Sequence, residues 1–169
     1  MSKKRVFAHP VVLTVFILYV LTILFLLVFP NNYRSHNVLV GGLTWEHWIA
    51  YVTNGFNLIP FRGIVEQVSS IFFGQNVASN AVYLAGNLIG FAPLGFFLPI
   101  LFEKQTRHKV FIITIVSAFI CLEFTQLITM RGSFDIDDII LNSAGACLGF
   151  LLLRNSLSRT AARLNEQNH

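Results

Sequence analysis

Residues 121–149 read CLEFTQLITMRGSFDIDDIILNSAGACLG. This stretch lies in one of the most apolar parts of the chain, yet it carries Glu123, Gln126, Arg131, Asp135, Asp137, Asp138 and Asn142. An ionisable side chain in hydrocarbon costs of order a few kcal/mol unless it is paired, neutralised or hydrated. How the stretch divides therefore decides the fold. Read as two helices meeting at a hairpin around Arg131-Gly132-Ser133, it places most of its charges at or near one rim of a membrane. Only Glu123 then remains deep, about 7 residues or roughly 10 Å below Met130.

Composition supports that division. Of 169 residues, 54% are hydrophobic and 12% charged, against about 25% charged in a soluble domain. Mean hydropathy is +0.65. The length suits one compact unit of a few membrane helices, a single domain over residues 1–169. A pI near 9.4 raises the question of nucleic acid. The basic residues instead flank apolar spans, so no nucleic-acid partner is expected. Cys121 and Cys147 both fall inside predicted spans and read as small apolar packing residues, with no disulfide or zinc spacing.

Four stretches are long enough to cross a core of about 30 Å: Val11–Phe29, Ala81–Phe102, Val110–Thr129 and Ile136–Leu153. The first follows Lys3, Lys4 and Arg5 and is closed by Pro30-Asn31-Asn32. Its apolar run exceeds that of an ordinary signal peptide and no small-x-small site follows, so it reads as an uncleaved anchor. The expected fold is all-α: a polytopic membrane protein, a small bundle of four transmembrane helices.

Four spans place both termini on one side. Lys3, Lys4, Arg5, Lys104, Arg107, Lys109, Arg154, Arg159 and Arg163 share that side, while Arg34, Arg62 and Arg131 face the other. The positive-inside rule makes the richer side cytoplasmic. Residues 30–80 then form a long external loop, rich in Trp and Phe. Within it TWEHWIAYV and GIVEQVSSIFFG are expected to form short interfacial helices, joined by a bend at Pro60 in NGFNLIPFRG. Residues 155–169 are expected to be a short, solvated cytoplasmic tail.

Asp135, Asp138, Asn142, Gly145 and Gly149 are spaced 3, 4, 3 and 4, which puts them on one face of the last span. The glycines admit a close neighbour. Either aspartate suits a helix cap, Asp135 better than Asp138, because Asn142 carries the polar face one turn deeper. Asp137 is expected to point elsewhere, towards the water interface. Glu123 and Gln126 share one side of the preceding helix. Glu123 reads either as interhelical glue or as a carboxylate facing a polar cavity. Arg131 at the mouth is its counter-charge, a partner for Asp138 or an anionic ligand, or a plain interfacial anchor.

The second span contains Pro93 and Pro99, which free the carbonyls of Ile89 and Gly95. Asn87 offers donors and an acceptor, either as glue or as a bridge to Glu123 or Asp138. Gly86-x-x-x-Gly90 is expected to favour close packing. With the N-terminus inside, Asn87, Glu123, Gln126, Arg131, Asp138 and Asn142 all fall in the outer half of the membrane or at its rim. One outward-opening polar pocket accounts for all of them.

Three segments together resemble the VanZ-like family. Asn57-Leu58-Ile59-Pro60-Phe61 is similar to its external N-x-x-P-F element. Asn87 with Phe91, Pro93, Gly95 and Pro99 is similar to its N-x-x-x-F-x-P-x-G core. Glu123-x-x-Gln126, Arg131, Asp138, Asn142 and Gly145 resemble its E-x-x-Q…R…D-x-x-x-N-x-x-G signature. The matched core runs over about residues 57–149. The resemblance implies a bacterial inner-membrane protein and adds Asn57 to the candidate ligand-binding set. The family's founding member is associated with low-level resistance to teicoplanin, a glycopeptide with a fatty-acyl tail.

Two functions compete. The first is an outer-leaflet protein that binds a lipid or lipid-tailed molecule, with Arg131 on an anionic group and Asn87, Gln126 and Asn142 as hydrogen-bonding groups. The second is an intramembrane enzyme acting on a lipid or a lipid-linked envelope precursor, with Glu123 and Asp138 as an acid–base pair. A transporter ranks last, because the polar residues stop in the outer half and four spans would need a homo-oligomer. A serine hydrolase lacks a base: Ser133 and Ser143 have no histidine near them in sequence. No cofactor is expected, and the carboxylates fit no firm metal-ligand spacing.

Overall fold

The computed structural model describes residues 10–28 and 44–166. Lys3, Lys4, Arg5, His9, Phe29, Arg34, His36 and His169 lie outside them. Among the described residues the chain forms six α-helices: α1 (Pro10–Val28), α2 (Trp45–Asn54), α3 (Arg62–Phe72), α4 (Val77–Leu101), α5 (His108–Ile128) and α6 (Ile136–Glu166). A 3-10 turn, Glu103–Thr106, joins α4 to α5. The expectation of an all-α membrane architecture holds. Three helices are long and apolar enough to span, over Val77–Leu101, His108–Ile128 and Ile136–Thr160. The first expected span appears as α1, a shorter apolar helix.

The long helices expose large apolar side chains: Val82 71%, Ile89 71%, Ile113 66% and Leu152 67%. In water such surfaces would drive aggregation, whereas lipid solvates them at no cost. Inside, the core is aromatic and aliphatic. Phe91 packs edge-on against Phe119 at 4.8 Å, and Phe111 stacks on Phe150 at 4.6 Å. Ile115, Leu127 and Ile139 fill the space between them.

The largest interface joins α4 to α6, and it is made by small residues. A Cβ placed on Gly145 would overlap the Leu88 carbonyl, one on Gly149 the Ala92 carbonyl, and one on Gly95 the Ala146 carbonyl. The two backbones therefore touch, which gains dispersion contact where no hydrophobic effect acts between helices. The expected close packing at Gly86 and Gly90 does not occur, since nothing lies within 4 Å of a Cβ at either. The Gly90 carbonyl instead accepts the Tyr19 hydroxyl of α1 at 2.6 Å, one residue beyond the carbonyl that Pro93 frees.

The hairpin at Arg131 begins with an orderly helix stop. Met130 takes a left-handed conformation, φ 55°. Arg131 N donates to Gln126 O at 2.8 Å and Met130 N to Leu127 O at 3.0 Å. These are the paired bonds of a Schellman ending, which satisfy the last carbonyls of α5. Trp48 Nε1 from α2 supplies another donor, to Ile128 O at 3.0 Å.

Two stretches expected to be helical in the external loop are so, as α2 and α3. The bend between them brings one addition to the all-α expectation. Strand β1 (Phe56–Asn57) pairs in parallel with β2 (Phe134–Asp135), Asn57 opposite Asp135. This short bridge pins the loop to the α5–α6 hairpin. At the other end, α6 continues as helix to Glu166. The span expected to stop near Leu153 and the expected tail as far as Glu166 are thus one helix.

Candidate functional site

Three aspartates stand at the start of α6, Asp135 just before the helix and Asp137 and Asp138 in its first turn, and the structure uses each differently. Asp135 caps its own helix: its Oδ1 accepts Asp137 N at 2.8 Å, and its Oδ2 accepts Asn57 Nδ2 at 3.0 Å. Its backbone N–H donates to Glu123 Oε2 at 3.2 Å. One residue therefore links the α2–α3 loop, the start of α6 and the buried acid on α5.

Asp137 departs from expectation. It does not face the water interface but is buried, 1% exposed. Its carboxylate accepts Phe61 N at 2.5 Å, Gly63 N at 2.7 Å and Ile64 N at 3.2 Å. Those are the orphan donors at the start of α3, whose own N-cap residue, Phe61, gives no side-chain bond. A carboxylate there also meets the positive end of the helix dipole. Gly63 permits the approach, since a Cβ would sit 3.2 Å from Asp137 Oδ2. Helical phase misled because Asp137 turns from the α4 face of α6 to a second partner, the loop helix α3.

Asp138 faces α4. Its Oδ1 accepts a short hydrogen bond from the Tyr83 hydroxyl and a longer one, 3.3 Å, from Asn87 Nδ2. Tyr83 and Asn87 are one helical turn apart on α4, so both reach the same carboxylate. The Gln67 side chain of α3 lies beside Tyr83. Tyr83 and Gln67 were not among the residues expected from sequence. The signal was present for Tyr83, which stands four residues before Asn87, whereas Gln67 is brought in only by the docking of α3.

Glu123 is buried at 2% exposure between Phe119 and Leu127 on α5, and it lies within electrostatic reach of Asp135 and Asp138. Asn142, one turn below Asp138, is 3% exposed. Two buried acceptor atoms in this part of the molecule have no protein partner: Asn142 Oδ1 and Gln67 Oε1. Leaving such a group unsatisfied costs about 1–3 kcal/mol.

The expected residues thus divide. Asn57 and Glu123 bond to Asp135, Asn87 and Tyr83 bond to Asp138 one turn away, and Asn142 lies one turn further along α6. Gln126 does not share in these bonds: its side chain packs beside Gly132, and its carbonyl closes the end of α5. Arg131 is half-buried in the hairpin. Glu123 accepts from Asp135 N, and Asp138 from Tyr83 and Asn87. Tyr51 of α2 steadies the hairpin by donating to Gly132 O at 3.1 Å. Partial burial raises its hydroxyl above the ordinary value, so it remains a donor at neutral pH. Among the described residues, no three His, Cys, Asp or Glu side chains gather closely enough to hold a metal ion.

A lipid-exposed bundle with small-residue helix contacts and a buried acidic network defines a polytopic membrane protein. The chain belongs to the VanZ/LLP1 family, whose model matches residues 16–158. That match covers α2 to α5, most of α1 and α6, and every candidate residue named above. No curated protein matches the chain, and no solved structure matches it.

Proposed function

We propose that this protein acts at the outer leaflet of the bacterial cell membrane by binding a lipid or lipid-tailed molecule, and thereby contributes to low-level resistance to glycopeptides such as teicoplanin. Both termini face the cytoplasm, in line with the nine-to-three division of basic residues. The acidic network then lies at the outer end of the bundle. One observation carries the reading: buried acceptors, Asn142 Oδ1 and Gln67 Oε1, stand unpartnered beside an Asp138 carboxylate already oriented by Tyr83 and Asn87. An acceptor-rich site of this kind selects a ligand with hydroxyl or amine donors. An acyl tail would run along the exposed apolar side chains of α4. The ligand is a small amphiphile, nucleic acid is not among the partners, and homo-oligomerisation is compatible with the scheme.

The electrostatic reach between the Glu123 and Asp138 carboxyls favours one rival, an intramembrane enzyme that modifies a lipid or lipid-linked envelope precursor with Glu123 and Asp138 as acid and base. Wild-type, deletion and Glu123→Gln strains separate the two when teicoplanin susceptibility and lipid composition are measured together. Glutamine keeps an acceptor for Asp135 N. Binding predicts that Glu123→Gln retains most of the resistance and that the three lipid profiles agree. Loss of resistance at normal protein level, with a lipid profile that shifts as in the deletion strain, would establish the enzyme instead.

A further inference from the structure

The opposite end of the bundle holds a cavity of about 580 Å³. Its polar lining is Thr106, Arg107, His108 and Arg154, with no acidic residue among the lining groups. Its apolar lining comes from Pro99 on α4 and from Phe150, Leu153 and Leu157 on α6. The cavity lies where two spanning helices end, Leu101 of α4 and His108 of α5, which is the depth of lipid headgroups whichever way the chain is oriented.

Three features give this cavity a preference for an anion. Two guanidiniums line it, and arginine matches phosphate oxygens with paired donors. Arg154 contacts His108 Nε2 through Nη1. Arginine only donates, so that ring nitrogen is the acceptor. The His108 ring is held edge-on against Phe150 at 4.9 Å, which fixes this cationic wall in place. The first turn of α5, 21 residues long, opens here without a side-chain cap, adding the positive end of a helix dipole. The neighbouring turn and the start of α5 add Lys104 and Lys109, against Glu103.

From the cationic lining, the apolar wall and the headgroup depth, we infer that this cavity binds the phosphate headgroup of an anionic phospholipid. The acyl chains run along the apolar wall of α6. Basic pockets between spanning helices hold anionic lipids in this manner. The site is separate from the acidic network and does not depend on the function proposed for it.

The full-length chain in neutral detergent is titrated with dioctanoyl phosphatidylglycerol, dioctanoyl phosphatidylcholine and inorganic phosphate, and the rise in unfolding midpoint is read as affinity. Phosphatidylglycerol is expected to bind at least tenfold more tightly than the other two. Arg107→Gln and Arg154→Gln each weaken it about fivefold, and Arg107→Gln keeps the test open if the Arg154 variant unfolds. Arg159→Gln removes the same charge from α6 outside the cavity and changes affinity less than twofold. Equal binding of the two lipids, an Arg159 effect as large as the Arg154 effect, or phosphate binding as tightly as phosphatidylglycerol would each overturn the proposal.

Discussion

Asp137 and Asp138 are neighbours in sequence and opposites in use. Asp137 faces the loop helix α3, where three backbone N–H groups occupy its carboxylate. Asp138 faces α4, where two side chains orient one of its oxygens and unpartnered acceptors lie near it. The first arrangement is complete within the protein, as a structural joint should be. The second has acceptor capacity to spare, as a ligand site should have. On the proposed function, the contrast separates stability from ligand binding within one helical turn.

Substitution can break this contrast, and the largest effect falls on the joint. Asp137→Ala removes three charge-assisted bonds and is expected to cost about 3 kcal/mol or more. It shows as a steep fall in steady-state protein level and unfolding midpoint. Next comes the α4–α6 contact. Gly145→Val forces a side chain against the Leu88 backbone, at about 2 kcal/mol, measurable as a lower unfolding midpoint in detergent.

Asp138→Asn reverses the pattern. It keeps the size and one acceptor, so stability changes by about 1 kcal/mol or less, while resistance to teicoplanin falls to the level of the deletion strain. A variant that instead failed to accumulate would merge Asp138 with Asp137 as a joint residue. The smallest effect is expected at the exposed pair Arg62–Glu66, 3.1 Å apart. Glu66→Gln should shift stability by less than about 0.5 kcal/mol and leave resistance unchanged. It serves as the baseline for the other three.

Much of this was legible in the sequence, because lipid imposes simple rules. The hairpin at Arg131 followed from charge placed between two apolar runs. The spacing of Asp138, Asn142, Gly145 and Gly149 marked the face that meets α4. Asn87 was visible as the polar group on that helix. What escaped depends on contacts distant in sequence. The burial of Asp137 needs α3 to fold back across 74 residues, and Gln67 enters the network by the same route. Gly86 and Gly90 have the spacing of a packing motif, but the face they occupy meets no neighbour. Gln126 has the right depth on α5, and the turn at Gly132 takes its side chain.

The claim that the acidic network is a ligand site is most directly tested by titrating the protein, embedded in lipid nanodiscs, with teicoplanin and with the same glycopeptide stripped of its acyl tail. The account predicts that the tailed form binds and the stripped form binds at least tenfold more weakly. It also predicts that Asp138→Asn weakens the tailed form at least tenfold while Glu66→Gln binds as wild type. Equal affinity for the two forms, or an Asp138→Asn protein that binds like wild type, would contradict it.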